Sequence, residues 1–100
     1  MSELKIIKIA YLFGNSENYL ERKVEKTEYH RGRASPYYLI HTKPECGERH
    51  NLFLVYEGQI NYSGWINIYP ISGFQKAYSN GIAIDHPVHC EPYYGYVYTE

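Results

Sequence analysis

Apolar residues along this chain recur mostly at every second position, the period of a β-strand with two distinct faces. Residues 4–13 place Ile7, Ile9, Tyr11 and Phe13 on one face and Ile6, Ala10 and Leu12 on the other. Apolar residues on both faces predict a central strand. Residues 37–42 (YYLIHT) read as a short strand. Residues 51–57 (NLFLVYE) read as the most apolar strand and a central one. Residues 59–62 and 65–71 are expected to be strands on either side of Ser63-Gly64. Trp65, Asn67 and Tyr69 share a face there, and Pro70 marks an edge or a break. A brief strand is expected at 82–85. The chain closes with a strand at 93–99, where Tyr94, Tyr96 and Tyr98 share one face.

Two stretches depart from this period. After Gly14-Asn15-Ser16, the residues Tyr19, Leu20, Lys23, Val24 and Thr27 follow helical spacing, which predicts a helix over about 16–29. The like-charged pairs Glu17/Glu21, Glu21/Glu25 and Arg22/Lys26 oppose a helix, because each repels at one-turn spacing. A strand would instead set Glu21, Lys23 and Glu25 on one exposed face. Ser72 as a cap and Asn80-Gly81 as a left-handed stop predict a second short helix over 73–79. Loops are expected at 30–36 (HRGRASP), 43–50 (KPECGERH) and 86–92 (HPVHCEP), the last held by two prolines. The sum is an α+β fold: one globular domain over 1–100, a mostly antiparallel sheet of five to seven short strands, and one or two short helices.

Composition sharpens the picture at one point. The 100 residues include 13 Tyr against 3 Phe and 1 Trp. Tyrosine fits a half-buried pleated surface, and it also serves interfaces, where a wide ring carries a polar tip. Tyr62, Trp65, Tyr69, Tyr94, Tyr96 and Tyr98 are the candidate partner-binding face, for a protein partner or a homodimer. The alternative is that these rings cover a thin core. The net charge of −1 supplies no global field for nucleic acid. The opening MSELKIIKIAYLFG carries lysines within its apolar run and reads as a strand, not a leader, so a cytoplasmic location is expected and no membrane partner. Asn61-Tyr62-Ser63 fits the glycosylation pattern by chance in that setting.

Three sets of residues suggest chemistry. Cys46, His50, His89 and Cys90 supply thiolate and imidazole from two loops, a donor set suited to a structural zinc, though the spacing matches no standard finger. Otherwise no cofactor is expected. The same loops could be joined by a Cys46–Cys90 disulfide, or both thiols could be free. Cys90 with His50 or His41 and Asp85 has the residue types of a nucleophilic site, without a surrounding signature. His30, Arg31, Arg33 and Tyr37 form the second set: paired arginines can grip phosphate and a tyrosine ring can stack on a base, the alternative being a solvated basic turn. Glu45 and Glu48 are read as exposed loop carboxylates. Nucleotide-binding, metalloprotease and serine-hydrolase motifs do not occur, which weighs against an enzyme. In size, tyrosine-heavy strands and lack of catalytic signatures, the chain resembles the small orphan proteins of viruses and mobile elements, those of viruses infecting hyperthermophilic archaea among them. That resemblance implies a binding or inhibitor role and assigns no residue. The expected function is a non-enzymatic protein-binding module, with nucleic-acid binding through the HRGR loop as the alternative.

Overall fold

The computed structural model describes residues 5–12, 19–32, 35–44, 47–60 and 64–100. Seven strands carry the fold: β1 (Ile6–Leu12), β2 (Tyr19–His30), β3 (Tyr37–Thr42), β4 (Leu52–Tyr56), β5 (Ile66–Ser79), β6 (Ile82–His89) and β7 (Tyr93–Thr99). The only helix among the described residues, α1 (Glu57–Ile60), is a single turn. All pairings are antiparallel, in the order β4-β3-β2-β1-β7-β5-β6, and β4 pairs β5 as well. That last pairing closes β1-β2-β3-β4-β5-β7 into a six-stranded barrel. The β5–β6 hairpin projects from it as an arm, and the molecule extends over 46 × 30 × 21 Å.

Inward positions alternate as a closed barrel requires. Ile9, Tyr11, Tyr38, Ile40, Phe53, Val55, Ile66 and Ile68 form its core. A bulge between Ile6 and Lys8 shifts the parity of β1, so Ile6 turns inward and Ile7 is exposed. Gly95 sits opposite Tyr11 on one side and Ile66 on the other. A Cβ there would stand 2.0 Å from the Ala10 carbonyl oxygen and 2.6 Å from Tyr11 Cα. Only glycine lets β7 approach β1 this closely.

Both expected helices are strands. Residues 19–30 form β2, and 16–18 lie outside the described residues. Alternation wins there: Leu20, Arg22 and Val24 face inward, and Glu21, Lys23 and Glu25 lie on the exposed face. Lys8 is brought against Glu21 at 2.5 Å across the β1–β2 pair. Glu21 thus meets an opposite charge in solvent, and Arg22 turns into the barrel away from Lys26. Residues 73–79 belong to β5. Asn80 (φ 54°) and Gly81 (φ 80°) make the two-residue turn into β6, with Ser79 opposite Ile82. Two consecutive left-handed residues give the turn whose twist matches a hairpin.

The strand expected at 59–62 is instead α1 through Ile60, with 61–63 outside the described residues. Residues 86–89, expected in a loop, extend β6, which among the described residues pairs only with β5 and so accommodates Pro87. Pro70 does not end its strand. It is buried opposite Phe53, where β5 passes from β7 through β4 to β6. The sheet is mostly antiparallel, as expected; it closes into a barrel, and a single helical turn among the described residues gives the α+β label only weak support.

Candidate functional site

Three places carry side chains that could act. The first is the outer surface of β7 and its neighbours. Inward Tyr93, Gly95 and Val97 leave Tyr94, Tyr96 and Tyr98 pointing outward, as the alternation predicts. Tyr19, Trp65 and Tyr96 form a three-ring cluster with centroids 5.4 to 5.8 Å apart. A hydrogen bond joins Tyr19 and Tyr96; burial and that bond raise the Tyr19 phenol pKa. Trp65 remains 50% exposed and Tyr94 58% exposed. Tyr98 lies beside this cluster with the Lys8 ammonium 4.5 Å from its ring centre. Of the expected face, then, Trp65, Tyr94, Tyr96 and Tyr98 share one surface. Tyr69 is elsewhere, on the outer side of β5 against Tyr56 and His89, and Tyr62 lies outside the described residues. Sequence reasoning missed Tyr19 because a helix was expected over that stretch.

Because β7 is flanked by β1 and β5, it offers no free edge. Its tyrosines can meet a partner only through their rings. Among the described strands the free edge belongs to β6.

The second place is a cleft of about 360 Å³ between the arm and the outer face of β3 and β4. Leu54 floors it, Tyr37 and Tyr56 wall it, and His86 and His89 come from β6. His30 stacks on Tyr37 with centroids 5.3 Å apart, and its Nε2 lies 3.6 Å from Glu28. His41 hydrogen-bonds the same carboxylate, which holds the Glu28 pKa below its ordinary value against the effect of burial. Arg31 is exposed at the loop, and Arg33 lies outside the described residues.

The third place is inside the barrel. Arg22 is fully buried and Glu48 nearly so, which corrects the expectation of an exposed Glu48. Tyr11 stands between them. Its hydroxyl donates to Glu48 at 2.9 Å and accepts from Arg22 Nη1 at 3.1 Å. Arg22 also donates to the carbonyls of His50 and Lys43 and lies over the Phe53 ring. Glu48 further accepts from the His50 amide at 3.0 Å and contacts its ring Nδ1 at 3.1 Å. Tyr93 stacks on Tyr11 and hydrogen-bonds Glu48; burial first, then the carboxylate, pushes its pKa up to about 12. None of these residues lines the cleft. The network ties Lys43, Glu48 and His50 to the barrel end.

The proposed zinc ligands do not assemble among the described residues. His50 is engaged by Glu48, and His89 packs on Tyr69. Cys90 is an exposed free thiol whose amide donates to the Pro70 carbonyl, and Cys46 lies outside the described residues. No group of three or more His, Cys, Asp or Glu able to hold a metal occurs among the described residues. Among the described residues, no helix is long and apolar enough to cross a membrane. Comparison with family models, curated proteins and solved structures returned no match to this chain.

Proposed function

We propose that the protein is a non-enzymatic binding module that docks a protein partner on the aromatic surface of Tyr19, Trp65, Tyr94, Tyr96 and Tyr98. One observation carries this reading. The Tyr19–Trp65–Tyr96 cluster is built on the outside of a closed barrel and left half exposed, with Tyr94 and Tyr98 continuing it. Rigid rings lose little conformational entropy on contact, and Tyr and Trp dominate the energetics of protein interfaces. The closed scaffold beneath fixes their spacing.

Trp65 is the single tryptophan, so its emission reports occupation of the surface directly. A photo-crosslinking residue at Tyr94, introduced in the cells that make the protein, should yield one prominent protein adduct. The same residue at exposed Lys26 should not, and Tyr96→Glu should abolish the adduct. The purified partner should then shift Trp65 emission to the blue. Equal adducts at both positions would overturn the reading.

A second reading rests on the cleft. It gathers His86 and His89 opposite Tyr37, beside the His30 stack and Arg31. Imidazole, guanidinium and phenol around an apolar floor suit a phosphate-bearing base, as in a single-stranded nucleic acid. Salt-sensitive binding of a short oligonucleotide, weakened by Arg31→Ala, would support it. No binding at low salt would end it.

A further inference from the structure

The arm is the least economical part of the molecule if the chain acts alone. A two-stranded hairpin is marginal in water, yet this one exposes Phe74, Tyr78, Ile82, Ile84 and Val88. Its outer strand, β6, pairs only with β5 among the described residues. An open edge with apolar side chains is a template for another strand.

The register says which strand fits. Residues flanking a two-residue hairpin turn form a hydrogen-bonded pair, and such pairs alternate with non-bonded ones. Ser79↔Ile82, Ala77↔Ile84 and Gln75↔His86 are therefore the bonded pairs of the arm. The backbone groups of Ala83 and Asp85 point the other way, to the open edge. Pro87 shares that orientation, so its missing N–H falls on the open side and leaves the β5–β6 ladder intact.

A second copy of β6 can add antiparallel only in registers that set outward residues opposite outward residues. A two-fold axis at Asp85 places carboxylate against carboxylate. One at Ala83 yields a single bonded pair before the turn intervenes. An axis at Ile84 pairs Ala83 with Asp85 of the second copy, and Asp85 with its Ala83. Four backbone hydrogen bonds result, and Ile84 lies directly against its own copy. Ile82, on the same face of the arm, extends that apolar stripe. Lys76 stands opposite Asp85 within each arm.

We propose that the open edge of β6 binds a second copy of this chain in the Ile84-centred register, giving a homodimer with a continuous β5-β6-β6-β5 sheet. This interface is separate from the aromatic surface, and Tyr96→Glu should leave it unchanged. The test is cysteine crosslinking in a Cys46→Ser/Cys90→Ser background. Directly opposed positions have Cβ atoms about 5 Å apart, within disulfide reach after small adjustment. Ile84→Cys should oxidise to a covalent dimer. Ile82→Cys should not, since its copies are four residues out of register, roughly 13 Å apart along the strands. Asp85→Pro removes only outward amides. It should weaken the dimer in sedimentation roughly thirtyfold, two hydrogen bonds' worth, with circular dichroism unchanged. A chain that stays monomeric at millimolar concentration would overturn the proposal. So would Ile82→Cys crosslinking as readily as Ile84→Cys, or a folded Asp85→Pro that dimerises as before.

Discussion

Arg22 is the residue on which the barrel end depends. A guanidinium without water is costly unless its charge is met by donors' partners on several sides. Tyr11, the His50 and Lys43 carbonyls and the Phe53 ring supply these, and Glu48 supplies the opposite charge one hydroxyl away. Burial pushes the Glu48 pKa up, but the His50 amide, the Tyr11 hydroxyl and the His50 ring outweigh it and hold it low. A carboxyl whose folded pKa lies below its unfolded one stabilises fully above the unfolded value. That contribution is lost as pH falls through the folded value. Urea midpoints should therefore fall as the solution is acidified below the ordinary carboxylate pKa. In Glu48→Gln the fall should be shallower, with stability at neutral pH lower by about 3 kcal/mol, since Arg22 loses its counter-charge. Gly95 answers to sterics alone. Gly95→Ala should cost about 3 kcal/mol in the same measurement, because the new methyl meets backbone on β1 and not a movable side chain.

At the scale of elements, β5 does the most varied work. Its first residues pair β7, Tyr69 and Pro70 pair β4, and the remainder pairs β6. Barrel and arm are thus two parts of one strand, and the arm should be separable. Deleting 76–79 and 82–85 leaves Gln75-Asn80-Gly81-His86. Gln75 and His86 are a bonded pair of the same kind as Ser79 and Ile82, so the turn transfers without a change of register. The shortened chain should keep its far-ultraviolet circular dichroism and melt within a few degrees of the parent. A collapse of the barrel would show that the arm, and not closure, holds it. The stretch 19–30 shows how an element is chosen. Helical spacing fits Leu20, Val24 and Thr27; strand alternation fits Leu20 and Val24, and the bulge between Val24 and Lys26 shifts the parity before Thr27. The strand is selected because β1 and β3 supply partners and Arg22 gains a buried set of acceptors.

For the molecule as a whole, closure removes the edges that an open six-stranded sheet would leave. The seam is short. β4 and β5 meet at Phe53↔Pro70 and Leu54↔Tyr69 only, and the Pro70 carbonyl turns away from β4 to accept from the Cys90 amide. The barrel should open first along this line. Native-state hydrogen exchange should show the amides of Leu54 and Tyr69 less protected than those of Ile9, Ala10 and Tyr11 at the β1–β7 pair. Slower exchange at the seam would place the weak point elsewhere.

Much of this fold is legible in local pattern. Period-two alternation placed β3 and β7 residue for residue and β4 to within its ends, and it set Tyr94, Tyr96 and Tyr98 on one face, because strand geometry is local. It also held the Asn80-Gly81 hairpin signal, although a helix stop uses the same left-handed conformation. Contacts between distant parts of the chain settle the rest. Whether 19–30 is helix or strand depends on neighbours far along the chain. The burial of Arg22 and Glu48, the company of Tyr19 and the separation of Tyr69 from the other rings depend on how the sheet closes. Closure rests on pairings between distant residues, β1 with β7 and β4 with β5, and no local pattern encodes which strand meets which.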